Sequence, residues 1–355
     1  MTITIAERPI GKDHPTYFIA DIAANHDGDL ERAKELIRLA AEVGADAAKF
    51  QNFQAEKIVS DYGFSHLEGQ LSHQASWEKS VVEVYRDASI PFGWTPILKE
   101  ECDRAGIDYF SSPYDLEAVD MLEPYVPAYK AGSGLITWIE MMEYMARKPV
   151  PLIMSTGASD LSDVVRAVRA VRAVNDQVVV MQCNTNYTAS PENYDHIHLK
   201  VLKTYARLFP QVVLGLSDHT QGPAAILGAV ALGARVIERH FTDDKTRSGP
   251  DHAFATDPDE WAEMVKETRK LERALGSADK FVAGNELDTV VIQRRCLRAA
   301  RLIREGEKIS RDMVEPLRPA TPGGIEPYQL PQVLGTKALE EIPFGKEIRW
   351  TDLGV

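Results

Sequence analysis

Short apolar runs alternate with amphipathic helical stretches over the first 275 residues of the chain. The helical stretches include 30–43, 160–174 and 258–275, where apolar residues recur on one face of the predicted helix. The runs between such stretches are nearly continuous in apolar residues, which is typical of parallel strands buried on both faces. Eight strands are predicted, at 18–23, 45–50, 108–112, 128–132, 150–155, 178–183, 212–216 and 235–240.

Eight strands with intervening helices match the size of a (β/α)8 barrel, the TIM-barrel architecture. A doubly wound open sheet is the competing architecture. It usually has fewer strands in this length, and the turn after the first predicted strand, at 23–28, lacks a GxGxxG pattern. We therefore predict an α/β barrel domain over residues 1–275.

The pattern changes after the barrel. Residues 276–290 are predicted to form a linker, and residues 291–355 combine short strands with turns, which predicts a small β-rich second domain. This last segment carries eleven Lys and Arg against nine Asp and Glu. This excess of positive charge fits either an ordinary solvated surface or a surface that faces an acidic partner, which would be the main domain or an anionic ligand. The stretch 61–76 is predicted to be a long loop with His66 and His73 on its surface.

Composition excludes several classes of protein. A hydrophobic fraction of 44% and a charged fraction of 26% are ordinary for a globular chain with a large core. No run of apolar residues is long enough for a membrane span, and the first residues lack the order of a signal peptide. Three widely spaced cysteines fit a reducing compartment, and a net charge of −13 argues against a nucleic-acid partner. We expect a cytoplasmic enzyme or binding protein.

Polar side chains collect at the ends of the predicted strands, and in a barrel those ends meet at the face that carries active sites. Two histidines on adjacent strands suit a divalent metal, and two lysines with hydroxyls suit a small, highly charged anion such as a phosphorylated carboxylate. The side chains concerned are Asp21, Lys49, Gln51, Ser112, Lys130, Ser133, Ser155, Thr185, Ser217, His219, Glu238 and His240.

Longer motifs surround these residues. They are IADIAANHDGDL (19–30), GADAAKFQ (44–51), PAYKAGSG (127–134), GLSDHT (215–220) and ALGARVIERHFTDDK (231–245). With them the chain resembles the sialic acid synthase (N-acetylneuraminate synthase) family, which includes the pseudaminic and legionaminic acid synthases. Residues 294–327 resemble the antifreeze-like (SAF) domain that ends those enzymes.

The resemblance implies a transferase that condenses phosphoenolpyruvate with the open-chain aldehyde of an N-acetylated hexosamine. The products would be a 2-keto-3-deoxy sugar acid and phosphate. It also implies a divalent metal, Mn²⁺ first with Mg²⁺ or Co²⁺ as alternatives. A homodimer is expected, in which the antifreeze-like domain of one chain covers the barrel of the other.

The resemblance further implies a role for each matching residue. His219 and His240 would hold the metal and, with Asp21, Lys49 and Lys130, form the catalytic set. Tyr187 and Asp251 would face the sugar, and Arg318 would reach it from the partner chain. Phosphoenolpyruvate would be held by Lys49, Gln51, Ser112, Lys130, Ser133, Ser155, Thr185 and Ser217.

Three positions depart from the family. Asp21 stands where the family usually has a glutamate, Leu135 stands where it has an acid, and Thr185 stands where it has an asparagine. Leucine cannot transfer protons. Asp21, Glu238 or a metal-bound hydroxide are the candidates to replace the missing acid.

Alternatives to the condensing synthase stay open. One is a family member that uses a different aldehyde. Another is an aldolase that forms a Schiff base through Lys49 or Lys130. A third is a protein that binds sugar phosphates without turnover.

Overall fold

The computed structural model describes residues 1–67, 74, 77 and 79–354. It divides into two compact units, Met1–Gly276 and Ser277–Val355. The strands of the first unit are β1 Thr2–Ile5, β2 Arg8–Gly11, β3 Tyr17–Asp21, β4 Ala47–Asn52, β5 Asp108–Pro113, β6 Tyr129–Ala131, β7 Leu152–Ser155, β8 Val178–Cys183, β9 Val213–Asp218 and β10 Ala234–His240.

Strands β3 to β10 form one parallel sheet in the order β5-β4-β3-β10-β9-β8-β7-β6. The two end strands, β5 and β6, contact each other, so the sheet is nearly closed into a barrel. The predicted (β/α)8 barrel is confirmed, and each of the eight predicted strands overlaps an observed one.

Helices connect the barrel strands and cover them. The three predicted helices are observed, and each begins after an aspartate, Asp29, Asp160 or Asp257, that accepts hydrogen bonds from backbone N–H groups of the following turn. The helices are α1 Leu30–Glu42, α2 Ala55–Ile58, α3 Asp61–Ser65, α4 Val81–Ala88, α5 Thr95–Ala105, α6 Leu116–Leu122, α7 Ile139–Ala146, α8 Leu161–Arg172, α9 Asn193–His196, α10 Val201–Leu208, α11 Ala224–Ala231 and α12 Pro258–Leu275.

The stretch predicted as a loop at 61–76 differs from the structure at its start. Ser60 accepts a hydrogen bond from the N–H of Gly63, and this cap begins helix α3. His66 follows that helix and is exposed, and His73 lies outside the described residues.

The lower interior of the barrel is apolar. Alternate residues of a strand face the same side, and those at the amino-terminal half of the barrel strands, such as Ile19, Ile153 and Val236, form one buried cluster. Ile3 and Ile5 of the hairpin β1–β2 join this cluster. The hairpin thus packs against the amino-terminal part of the interior, which leaves the carboxyl ends of the strands for polar side chains.

The second unit has its own core of buried apolar residues, which includes Leu297, Ile303, Val314 and Ile348. Its strands pair antiparallel, β11 with β12 and β13 with β14. The elements are α13 Leu287–Gln293, β11 Cys296–Ala299, β12 Val314–Leu317, α14 Leu330–Val333, β13 Lys337–Ala338 and β14 Leu353–Gly354. Among the helices of the described residues, none combines the length and apolar character needed to cross a membrane.

Candidate active site

The predicted site residues continue the inward-facing positions of the barrel strands. Asp21 follows Ile19 by two residues on β3, and Ser155 follows Ile153 by two on β7. Along each of these two strands, the inward-facing side chain therefore changes from apolar to polar over two residues. Every member of the set Asp21, Lys49, Ser112, Lys130, Ser155, Ser217, His219 and His240 is buried.

Four buried charges form the centre of the site. The Lys49 Nζ atom lies 2.7 Å from Asp21 Oδ2 and 4.0 Å from Glu238 Oε2. The Lys130 Nζ atom lies 3.3 Å from Glu238 Oε1. The strand register explains this grouping, because Lys49 pairs with Asp21 across β3 and β4. Two ammonium groups thus share two carboxylates.

Hydroxyl groups surround both lysines. Lys130 donates to Ser155 Oγ over 2.7 Å, and Lys49 donates to Ser112 Oγ over 3.4 Å. Ser217 donates to Glu238 Oε1 over 3.1 Å. Ammonium and hydroxyl donors in this arrangement can bind several oxygens of a compact anion at once.

Burial and charge act against each other at these groups. Burial alone would lower the pKa of Lys49, but Asp21 and Glu238 outweigh it and the pKa is raised. Burial lowers the pKa of Lys130. Burial raises the pKa of Asp21, whereas Lys130 and Lys49 hold the pKa of Glu238 below its usual value despite burial. The Oε2 atom of Glu238 is buried and has no hydrogen-bond partner among the described residues, so it can accept a hydrogen bond from a water molecule or a ligand.

A third group of hydroxyls lies around Gly157. The N–H of Gly157 donates to Ser133 Oγ over 3.0 Å. A Cβ atom at Gly157 would stand 1.8 Å from Thr185 Oγ1 and 2.9 Å from Ser133 Oγ. Glycine is therefore required here because two side chains approach its backbone closely.

His219 and His240 lie side by side, with 5.5 Å between their ring centroids. His219 Nδ1 lies 2.8 Å from the Asn184 carbonyl, which favours the tautomer whose Nε2 carries the lone pair. Burial lowers the pKa of His240 to about 3 and keeps this ring neutral. Burial also acts to lower the pKa of His219, but Cys183 and the Asn184 carbonyl outweigh it and raise this pKa.

The two rings fit a metal as part of a larger ligand set. The Nδ1 atom of His240 is buried and finds no hydrogen-bond partner within the described ranges. Among the residues that the structure describes, no group of three or more His, Cys, Asp or Glu side chains could hold a metal ion without other ligands. A divalent ion at these histidines would therefore take further ligands from substrate and water.

Tyr187 and Asp251 lie beside the histidines. The Tyr187 ring contacts the His219 ring, with centroids 4.5 Å apart, and Asp251 Oδ2 is 3.9 Å from His240 Nδ1. Asp251 Oδ2 also accepts the Ala24 N–H over 3.0 Å. These contacts place a carboxylate and a phenol ring at the edge of the polar interior.

A buried histidine fixes the loop that carries Asp251. His252 Nε2 lies 2.8 Å from Asp27 Oδ1, and its Nδ1 lies 2.8 Å from Thr242 Oγ1. The same Asp27 pairs with Arg247 over 2.8 Å. The motifs around residues 19–30 and 231–252 therefore meet in one network that positions Asp251.

The structure brings together the predicted residues of the barrel, and Gln51 joins them through its Nε2 atom, 3.4 Å from Asp21 Oδ2. Arg318 belongs to the second unit, where its Nε donates to the Gln293 carbonyl over 2.8 Å. Leu135 ends the turn Ser133–Leu135 after β6 and is buried in the hydrophobic core.

Two residues at the site lie outside the predicted catalytic and binding sets. Glu238 was predicted at a strand end and as one candidate to replace the missing acid, and Cys183 was predicted at a strand end without a role. Strand periodicity places both at the site, since Glu238 is two residues from His240 and Cys183 two from Thr185. Cys183 Sγ lies 3.8 Å from Thr185 Oγ1.

Comparisons with known proteins agree with this arrangement. Residues 36–280 match the NeuB family, and residues 294–354 match the SAF domain. The N,N'-diacetyllegionaminic acid synthase of Legionella pneumophila is 35% identical, over 97% of this chain and 96% of that protein. The human N-acetylneuraminate-9-phosphate synthase is 34% identical, over 94% of this chain and 91% of that protein.

A solved structure has the same architecture. The spore coat polysaccharide biosynthesis protein SpsE of Bacillus subtilis superposes with a TM-score of 0.66 at 34% identity, covering 100% of this chain and 99% of that chain. The expected resemblance and the expectation of a transferase enzyme are confirmed. With its fold, its strand-end residues and these matches, the chain belongs to the NeuB family and ends in a SAF domain.

Proposed function

We propose that this enzyme joins phosphoenolpyruvate to an open-chain, N-acetylated aldose and releases phosphate, giving a 2-keto-3-deoxy sugar acid. The observation that carries the proposal is the buried pair Lys49 and Lys130, surrounded by hydroxyls from neighbouring strands. Such a group matches a substrate with a carboxylate and a phosphate. The names of the relatives, which are synthases of sialic and legionaminic acids, support the same reaction class.

The lysines serve the reaction through charge. In the first step C3 of phosphoenolpyruvate attacks the aldehyde carbon, so that a C–C bond forms and C2 becomes electron-poor. The electron pair of the aldehyde C=O π bond moves onto the aldehyde oxygen, which takes up a proton. Water then adds to C2 with loss of one proton, and the hydroxyl formed at C2 loses its proton to become the ketone as the C2–O bond to phosphate breaks. Lys49, Lys130 and their neighbouring hydroxyls stabilise the carboxylate and the departing phosphate from buried positions.

Glu238 takes the proton from the water that adds at C2. Its Oε2 atom is buried and unpartnered within the described ranges, and the two lysines keep it ionised by lowering its pKa. Asp21 Oδ2 lies 2.7 Å from Lys49 Nζ and 3.5 Å from His240 Nε2. Leu135 is part of the hydrophobic core and cannot do this work.

His219 and His240 would hold a divalent ion, Mn²⁺ first with Mg²⁺ or Co²⁺ as alternatives. When bound there, such an ion would supply Lewis-acid polarisation of the aldehyde oxygen. Tyr187 and Asp251 would orient the aldose beside the histidines, and Asp251 can accept hydrogen bonds from sugar hydroxyls.

The test is phosphate release from phosphoenolpyruvate with Mn²⁺ and a panel of N-acetylated hexosamines. We expect release with one class of aldose, and loss of release with EDTA. In the His240→Ala variant, the rate of phosphate release should fall by about 10³-fold or more, since losing a group that stabilises charge in the transition state has effects near this size. His66→Ala, which removes an exposed histidine, should match the wild type. Full activity in EDTA or in His240→Ala would contradict the metal assignment.

A Schiff-base aldolase is the second candidate, favoured by the lowered pKa of the buried Lys130. Borohydride reduction in the presence of substrate separates the two reactions. The aldolase predicts a trapped adduct on Lys49 or Lys130 and activity that survives EDTA. The synthase predicts neither result.

Arg318 completes the sugar site from a second copy of the chain in a homodimer. Replacing it with alanine should raise KM for the aldose about 10-fold, the size expected for one charged hydrogen bond, and change KM for phosphoenolpyruvate less than about 2-fold. Arg301→Ala is the control, because Arg301 pairs with Glu307 on the surface of the same unit. Equal changes in the two KM values would remove the role of Arg318.

A further inference from the structure

Buried polar side chains also lie behind the strand ends of the candidate active site, on the outer side of the barrel. Neighbouring residues of a strand face opposite sides, so Thr156, next to Ser155, and Gln182, next to Cys183, face away from the lysines. Both are buried, and so is Tyr205 of helix α10. The proposed reaction assigns no role to these three residues.

The three side chains form one hydrogen-bonded network. The Tyr205 hydroxyl donates to Thr156 Oγ1 over 3.0 Å, and Thr156 Oγ1 donates to the Met181 carbonyl over 2.9 Å. Gln182 Oε1 lies 3.5 Å from the Tyr205 hydroxyl, and Gln182 Nε2 donates to the Ile197 carbonyl over 2.9 Å. The network therefore ties α10 and the residue after α9 to the carboxyl ends of β7 and β8.

The Tyr205 hydroxyl lies in apolar surroundings. Tyr205 belongs to the buried hydrophobic core, and its ring centroid is 6.1 Å from that of Phe209. Burial raises the pKa of Tyr205, so the phenol keeps its proton and acts as a donor. A buried hydroxyl is unfavourable without a hydrogen bond, whereas a phenylalanine would fill the same space without needing one. Packing alone therefore does not explain the tyrosine, and its hydrogen bond to Thr156 does.

Thr156 connects two parts of the candidate active site through the main chain. Ser155, which precedes it, accepts the hydrogen bond of Lys130 over 2.7 Å. Gly157, which follows it, donates its N–H to Ser133 Oγ over 3.0 Å. Glycine has no side chain to anchor it and a wide choice of backbone conformations, so the position of Gly157 depends on its neighbours. A hydrogen bond that fixes Thr156 therefore acts on both parts.

We propose that Tyr205 is a positioning residue for the phosphoenolpyruvate site and acts through Thr156. Its hydrogen bond holds the main chain at Thr156, and with it the donors on either side. Donors that bind one anion together must keep their mutual distances, and side chains behind the site hold them there. The inference rests on the proposed function, because that proposal assigns Lys130 and the hydroxyls beside it to phosphoenolpyruvate.

The experiment removes the two hydroxyls of this hydrogen bond separately and together. Tyr205→Phe and Thr156→Val each lose a hydroxyl and keep a side chain of similar shape. Affinity for phosphoenolpyruvate is measured by calorimetry without aldose, and turnover as phosphate release with Mn²⁺ and a panel of N-acetylated hexosamines. The melting temperature of each variant is measured as well, so that a loss of stability is not mistaken for a loss of affinity.

We expect Tyr205→Phe to weaken phosphoenolpyruvate binding about 5-fold, the size expected for one neutral hydrogen bond. Thr156→Val should weaken it at least as much. The double variant should match Thr156→Val within about 2-fold, because residues that act through one contact are not additive. Thr156→Ser, which keeps the hydroxyl, should bind phosphoenolpyruvate like the wild type.

Tyr17→Phe is the matched control. Tyr17 is also buried, and its hydroxyl donates to Asp108 Oδ2 over 2.6 Å. Tyr17 and Asp108 begin strands β3 and β5, so this hydrogen bond lies at the amino-terminal end of the barrel, away from the site. We expect this variant to lose stability and to keep the wild-type affinity for phosphoenolpyruvate.

The other outcomes separate the positioning role from the proposed reaction. Wild-type affinity in Tyr205→Phe or in Thr156→Val, equal losses of affinity in Tyr205→Phe and Tyr17→Phe, or multiplied losses in the double variant would overturn the positioning role. Weaker binding in Tyr205→Phe, with no phosphate release by the wild type on any aldose, would overturn the proposed reaction and leave the positioning role supported. Wild-type protein that binds no phosphoenolpyruvate would overturn both.

Discussion

The barrel interior has two halves of opposite chemistry on the same strands. In the lower half, Ile19 and Ile153 face other apolar side chains and the hairpin β1–β2. Two residues further along, Asp21 and Ser155 face lysines. Residues only two positions apart on a strand therefore belong either to the apolar core or to the polar site. A rigid apolar base of this kind can hold charged groups at fixed distances.

The two halves also differ in what they contribute to stability. Burying an aliphatic side chain such as Ile19 stabilises a fold by about 1.5–3 kcal/mol. Buried ion pairs such as Lys130 with Glu238 contribute little on balance, because removing charges from water costs about as much as their attraction returns. The charged side chains of the upper half, at the carboxyl ends of the strands, are therefore explained by ligand binding rather than by a contribution to folding stability.

The largest effect on turnover is expected from the charged half. Lys130→Met keeps the length of the side chain and removes the ammonium group that holds Glu238 and Ser155. We expect kcat/KM for phosphoenolpyruvate to fall about 10²–10³-fold, the cost of one charge-stabilising donor. Steady-state phosphate release measures this.

A surface lysine provides the control. Lys99→Met removes an exposed partner of Asp103 and should leave kcat/KM unchanged. The comparison between the two halves would be wrong if Lys130→Met retained full activity.

A smaller effect is expected where hydroxyls approach a backbone. Gly157→Ala forces Thr185 and Ser133 away, because its Cβ atom would overlap Thr185 Oγ1. We expect KM for phosphoenolpyruvate to rise about 10-fold and the free energy of unfolding to fall by about 1–3 kcal/mol, as in overpacked sites. Gly134→Ala is the control, since a Cβ atom there meets no atom within 4 Å. Similar kinetics in both variants would exclude this close approach.

The smallest effect on turnover is expected in the apolar half. Ile153→Ala empties part of the lower interior beside Lys130, its partner in strand register. We expect a loss of about 2–5 kcal/mol in the free energy of unfolding, typical of a buried isoleucine, with kcat/KM of the folded enzyme nearly unchanged. Chemical denaturation and kinetics at low temperature measure the two quantities. A large fall in kcat/KM without a loss of stability would contradict the assignment of stability to the apolar half and of activity to the charged half.

Much of this arrangement could be predicted from sequence because it follows periodicity. Apolar runs located all eight barrel strands, and their carboxyl ends located the residues around Lys49 and Lys130. The hairpin β1–β2 was missed, since four-residue strands give little pattern. The roles of the site residues, the metal and the homodimer stay predictions.

The contacts among the aromatic rings of Phe53, Tyr85 and Tyr114 could not have been predicted in the same way. Phe53 follows β4, Tyr114 follows β5 and Tyr85 belongs to α4, so their contact exists only after the elements pack.

Leu135 poses a different problem, because a leucine in place of an acid shows that a group is lost and does not show which group replaces it. The sequence left Asp21, Glu238 and a metal-bound hydroxide as candidates, and the position of Glu238 beside two lysines favours Glu238.

The most direct measurement is calorimetric titration of phosphoenolpyruvate into the wild type, Lys130→Met and Ile153→Ala. We expect one site per chain in the wild type, affinity at least about 100-fold weaker in Lys130→Met, and unchanged affinity in Ile153→Ala. Wild-type protein that binds no phosphoenolpyruvate, or binding that Lys130→Met leaves intact, would contradict a phosphoenolpyruvate site in the upper half of the barrel.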